Sequence, residues 1–129
     1  MPKAVKKLSM WFDWPDDPHG GRVEIVHLDQ QDTANIAEQV YETRNVFNAG
    51  TDKIDTEQRI NTILDRRLTA DRAIKSWENF LDGEGKPMEC TRENKFFWAD
   101  DAEFMAKLNG LRKIVAGKVR EVEERTEKN

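Results

Sequence analysis

Side chains capable of chemistry are few in this sequence. Asp13, Asp16, Asp17 and His19 fall close together, and carboxylate oxygens on a turn are suitable donors for a hard cation. The run lacks the glycine and the closing glutamate that a calcium loop places at fixed offsets. It is interleaved with Pro15, Pro18, Gly20 and Gly21, so it reads as a turn. His19 and His27 are the only histidines, and no nucleophile and base pair can be argued from either. Cys90 is the only cysteine, which excludes an internal disulfide and a zinc cluster and reads as an inert, buried thiol. The run from Asp82 to Lys86 holds a Gly-x-Gly at Gly83 and Gly85. It lacks the third glycine, and the Ser or Thr after lysine, that phosphate cradles use. No catalytic, cofactor-binding or metal-binding residue is assigned, and the chain is read as non-enzymatic.

Lys3, Lys6 and Lys7 precede Trp11, Phe12 and Trp14, the order of a basic strand with aromatic platforms for stacked bases. The net charge is nevertheless −4, from 25 acidic and 21 basic residues. Affinity for a phosphate backbone rests on neutralisation by Lys and Arg. The aromatics are therefore assigned to packing, and a small nucleic-acid-binding or regulatory module is kept as the alternative function. The 129 residues are 37% hydrophobic and 36% charged, which suits one domain with a wet periphery. Four Trp and six Phe argue against disorder. A single domain is expected over residues 1–122, followed by a charged, frayed tail over 123–129. No apolar window approaches the ~18 residues of a membrane span, and no signal-peptide core follows the lysines, so a cytoplasmic protein is expected.

The elements expected from periodicity make an α+β domain: an N-terminal antiparallel β-hairpin followed by three or four helices. Leu8, Met10, Phe12 and Trp14 alternate with Ser9, Trp11 and Asp13, and Val23 and Ile25 alternate with Arg22 and Glu24. This predicts the hairpin over about 6–28. A helix is predicted over about 32–47, capped by Asp29 or Asp32, carrying Ile36, Val40 and Phe47, and stopped at Asn48-Ala49-Gly50. A second is predicted over 56–69, capped by Asp55 or Thr56, with Ile60, Ile63, Leu64 and Leu68. Ile74, Trp77, Phe80 and Leu81 suit a short helix over 71–81 or a strand, and Trp77 is assigned to the core. A turn is placed at Asp82 to Pro87 and a cap at Thr91. The last helix, over about 100–122, opens at Asp100-Asp101.

Phe104, Leu108, Leu111, Val115, Val119 and Val122 form a stripe on that last helix, longer than a domain of this size readily covers. Gly110 and Gly117 beside it leave room for another backbone. Trp11 lies on the hairpin face opposite Met10 and Phe12. Trp11, Phe104, Leu108, Leu111, Val115 and Val119 are accordingly the predicted partner-binding residues, and a homo-oligomer is expected through the hairpin and this helix.

The segment from Trp77 to Lys95 resembles the tail assembly chaperones of long-tailed phages and prophages. In that family a hydrophobic-x-x-Trp block leads to Asp-x-x-Gly, an apolar residue or Pro, then Thr-x-Glu-Asn and a short helical tail. Ile74, Trp77, Asp82, Gly85, Pro87, Thr91, Glu93 and Asn94 stand in that order. The opening fits as well, with an apolar strand, Asp16-Asp17-Pro18, a glycine pair and a second strand. The resemblance spans about two thirds of the chain, leaving out residues 48–70 and the charged tail. It implies a non-enzymatic chaperone of the bacterial cytoplasm that binds the tape measure protein, with the tail tube protein as a further partner, and that is absent from the finished virion. It implies no cofactor, nucleic acid or membrane, and gives Trp77, Asp82, Gly85 and Thr91 structural roles.

Overall fold

A computed structural model describes residues 7–127. Lys3, Lys6, Lys128 and Asn129 lie outside the described residues. The elements run β1 (Ser9–Asp13), β2 (Arg22–Val26), α1 (Gln30–Val40), β3 (Tyr41–Asn48), β4 (Lys53–Ile60), α2 (Thr62–Ala73), β5 (Ile74–Glu78), α3 (Arg92–Ala99) and α4 (Ala102–Glu127). The fold is α+β, with four helices and two small antiparallel sheets among the described residues. None of these helices is long and apolar enough to cross a membrane.

Strands β1 and β2 pair as the alternation predicts, with Met10 opposite Ile25 and Phe12 opposite Val23. Their connection is tied by the Asp17 carboxylate, which accepts from the backbone N–H of His19 at 3.0 Å and of Gly21 at 2.7 Å. A Cβ on Gly21 would lie 2.4 Å from that carboxylate, so any other residue there would have to push the Asp17 side chain off the turn. The hairpin does not stand alone. Strand β5 pairs with β2 and completes a sheet of order β1-β2-β5.

The expected helix over 71–81 is therefore corrected to the end of α2 followed by a strand. Ile74 and Trp77 are three apart, which imitates a helical face. A bulge opposite Glu24 and Ile25 absorbs the extra residue, so Ile74 pairs with Ile25 while Trp77 pairs with Val23. Both side chains consequently reach the same core.

Helix α4 lies across this sheet. Phe104, Met105, Leu108, Leu111 and Val115 are buried with Val23, Ile25, Ile74, Trp77 and Phe80 in one cluster. The stripe is thus the domain's own core, and Phe104, Leu108, Leu111 and Val115 are corrected from partner-binding to core residues. The sheet needs an apolar cover, and α4 is the element that supplies it. Val119, half-buried, lies beyond this cluster. The helix continues through Glu127, so residues 123–127 of the tail expected over 123–129 are helical. Among the described residues nothing comes within 4 Å of a Cβ placed on Gly110 or Gly117. Gly110→Ala is expected to raise stability by about 1 kcal/mol in urea unfolding, because helix propensity then acts without a steric cost. A loss of stability would show that the position packs against something.

Residues 41–60 depart furthest from expectation. The helix predicted over 32–47 ends at Val40, where the N–H of Tyr41 closes on Ala37 O. The helix predicted over 56–69 starts only at Thr62, capped by Asn61, whose side chain accepts from Leu64 N at 3.1 Å. Between them β3 and β4 pair over eight residues each, from Tyr41 opposite Ile60 to Asn48 opposite Lys53. Asn48-Ala49-Gly50 is a hairpin turn, not a helix stop.

Candidate functional site

The β3–β4 hairpin is an arm. Eight residues per strand give it a length of about 27 Å. Every residue on it except Val46 is exposed, on both strands. Its two faces differ. Strand alternation and the observed register put Tyr41, Thr43, Asn45 and Phe47 on one face with Ile60, Gln58, Thr56 and Ile54, all uncharged. The other face carries Glu42, Arg44, Arg59, Glu57, Asp55 and Lys53, with an Arg44–Glu57 ion pair at 3.4 Å. Phe47 is 62% exposed and Ile54 68%. A lone two-stranded ribbon is marginal in water, so an arm with large apolar groups on one face is a surface that gains from being covered.

The uncharged face runs into a cleft of about 320 Å³ at the base of the arm. Leu28, Ile36, Ala37 and Val40 line it on the body side, Tyr41 and Ile60 on the arm side, and Asp65 and Arg112 supply its charges. Ile36 and Val40 pack with Leu68 in a small second core, which fixes the cleft wall. The guanidinium of Arg112 donates to Asn109 Oδ1 at 2.9 Å. Burial pushes its pKa down, against the pull of Asp65. Arg112 forms no ion pair within 4 Å among the described residues, and the Asp65 carboxylate of the same cleft acts on it only from beyond that distance.

One buried carboxylate orients the helix behind this cleft. Asp29 and Asp32 form a capping box at the start of α1, each side chain accepting from the other's backbone N–H. Asp32 also accepts from Lys7 Nζ, and from Arg72 at 3.1 Å. Burial alone would raise its pKa. The bonds from Lys7 and Asp29 outweigh burial and hold the carboxyl below the ordinary range. Asp32 thereby joins the start of α1 to the end of α2 and to the segment entering β1.

The residues singled out from sequence fall elsewhere. Trp11 is 39% exposed, with the Arg22 guanidinium 5.5 Å from its ring centre. It does not line the arm-base cleft. Trp77 is buried, stacked on Phe80 at 4.7 Å, and donates from Nε1 to Met88 O at 2.8 Å. The Asp82 carboxylate accepts from Glu84 N at 2.8 Å and Lys86 N at 2.9 Å, and Gly85 has a φ of 79°. Thr91 caps α3 by accepting from Asn94 N at 3.2 Å. A second cleft, of about 540 Å³, opens between this turn and the Asp17 turn. Of the three carboxylates that line it, Asp16, Asp17 and Asp82, the last two are engaged by backbone N–H groups and serve the turns. Burial pushes the Cys90 thiol up, which keeps it protonated and unreactive at neutral pH.

None of Tyr41, Phe47, Ile54, Ile60 and Arg112 is assigned to a partner surface from the sequence, where Phe47 and Ile60 read as helix-face residues. A signal existed: residues 41–48 and 53–60 alternate mostly uncharged with charged, around Gly50. The arrangement can hold an extended or helical apolar segment, with Arg112 receiving a carboxylate at one end. Compared with known proteins, the chain matches no family model, no curated sequence and no solved structure.

Proposed function

We propose that this protein is a non-enzymatic assembly chaperone of a phage or prophage tail, acting in the bacterial cytoplasm by holding the tape measure protein until the tube closes around it. The observation that carries the reading is the uncharged face of the β3–β4 arm, which continues into the cleft at its base. Such a surface grips an apolar helix through side chains and releases it without chemistry. The resemblance of residues 74–94 supports the identity of the client. In the fold those residues make one local unit: the Trp77 indole, the Asp82 turn and the Thr91 cap follow each other in space as in sequence. The nucleic-acid alternative loses support at Lys7, whose ammonium is engaged by Asp32 and Asp29.

Co-purification with tape measure fragments tests the proposal. The parent chain is expected to retain an apolar helical fragment. Phe47→Ser with Ile54→Ser is expected to weaken binding at least tenfold while the melting temperature stays within error, because both positions are exposed. Failure of the parent to retain any fragment would remove the chaperone reading. Equal binding by the double variant would move the client off the arm.

A further inference from the structure

We infer that, in the free protein, the arm is covered by the arm of a second copy, stacked face to face and antiparallel about a two-fold axis. The inference stands on the arm's own pattern and does not rest on the chaperone reading. Along the uncharged face the cross-strand pairs run Tyr41–Ile60, Thr43–Gln58, Asn45–Thr56 and Phe47–Ile54. That order is apolar, polar, polar, apolar, and it is unchanged by reversal. A two-fold axis through the middle of the face, perpendicular to the strands, keeps β3 over β3 and β4 over β4. It sets Tyr41 over the partner copy's Phe47 and Ile60 over its Ile54. Thr43 then meets Asn45, and Gln58 meets Thr56. Aromatic falls on aromatic, aliphatic on aliphatic and hydrogen-bonding side chain on hydrogen-bonding side chain, so one surface serves both copies, as an isologous contact requires.

The ends agree with this register. Six residues separate the apolar pairs, about 20 Å along the strand, so the tip loop of each arm overhangs the base of the other. The only charged residue in that loop is Asp52, at a φ of 54°. The base cleft holds Arg112, its only cation, beside Asp65 but with no carboxylate within ion-pair distance among the described residues. Asp52 of one copy is thus brought to Arg112 of the other, twice per dimer. Two faces about 27 Å long, with their cleft contacts, bury on the order of 1,000 Å² in total, at the low end for a specific interface. The pair is therefore reversible, and a client or another partner for the same face must displace it. A dimer of this kind differs from the one expected through the β1–β2 hairpin and α4, because α4 is already spent on the core.

Sedimentation velocity on the full chain over a hundredfold concentration range reads the equilibrium. A monomer–dimer exchange is expected. Phe47→Lys should shift its midpoint at least tenfold towards monomer without changing the melting temperature. Asp52→Lys and Arg112→Glu should each be monomeric alone, and should form a mixed dimer when combined, because the two altered positions then pair with their signs exchanged while the other contact keeps its native Asp52 and Arg112. Circular dichroism of each variant establishes that it is folded before mixing. A strictly monomeric parent would overturn the inference, and so would a dimer indifferent to Phe47→Lys. If Arg112→Glu does not fold, Asp52→Lys against the parent still decides the contact: unchanged association would refute it. Loss of tape measure binding with the dimer intact would count against the chaperone reading alone.

Discussion

Trp77→Ala is expected to cost about 3–5 kcal/mol, the range for deleting a buried large aromatic. That is much of the stability of a domain this size, so the variant should unfold at far lower urea or be unfolded at 37 °C. The magnitude follows from position. The indole is 6% exposed, stacks on Phe80 at 4.7 Å with the planes 10° apart, and faces Val23 across the sheet. Its Nε1–H also holds Met88 O at 2.8 Å, which anchors the return of the chain after the Asp82 turn. Removal leaves a cavity and an unpaired carbonyl together. Trp77→Phe separates the two effects, since it keeps the stacking partner and loses only the hydrogen bond and part of the volume. It is expected to cost roughly 1–2 kcal/mol. A Trp77→Ala melting temperature within error of the parent would show that this cluster does not carry the fold.

Asp32→Ala should be the next most damaging change. The carboxylate is 12% exposed, whereas its partners Lys7 and Arg72 are 46% and 32% exposed. Breaking a buried ion pair costs ~3–5 kcal/mol, and partner exposure reduces this to about 2–3 kcal/mol by screening. Asp32→Asn should cost less, because an amide oxygen can still accept from Asp29 N.

The same group gives a pH dependence with a definite sign. Although burial pushes the Asp32 carboxyl up, the Lys7 and Asp29 bonds prevail and its folded pKa lies below the ordinary 3.8. The folded state therefore binds fewer protons than the unfolded one as the pH drops past that value. Its stabilisation is whole above the unfolded pKa and is lost as pH falls through the folded one. Asp32→Asn should flatten the acid limb of the stability profile and leave the region above pH 5 parallel to the parent, with urea midpoints across the acid range as the measurement. A parent and variant that lose stability in parallel below pH 4 would assign the acid limb to other carboxylates.

Where each local rule had one outlet, sequence and structure agree. Alternation over residues 8–14 and 22–26 could be satisfied only by strands, because both runs end in turn formers whose geometry the Asp17 carboxylate completes. Thr91 ahead of a polar first turn and an apolar face could only cap a helix. Trp77 is legible as core by type and spacing, whereas the 104–115 stripe is legible only as an apolar helical face, which the sequence assigns to a partner and the fold spends on its core. Apolar residues show that a face is covered, and not by what. The structure supplies the cover, the β1-β2-β5 sheet, through a long-range β2–β5 pairing whose bulge no local window contains.

The arm marks the boundary between the two kinds of information. Ile36, Val40 and Phe47 keep helical spacing, and the competing charged–uncharged alternation of 41–60 contains few strongly apolar groups. Local propensity was nearly balanced there, and pairing decided it: β3 and β4 satisfy each other's backbone over eight residues. The sequence by itself determined an α+β domain, its first hairpin, the Asp17 and Asp82 turns and the caps at Asp29 and Thr91, because those depend on neighbours a few residues away. Only the tertiary structure decided that the Phe104–Val115 face of α4 is consumed by the core and that the uncharged face of the arm is left uncovered. Which face remains free depends on how all the other faces are paired, and that is a property of the whole chain.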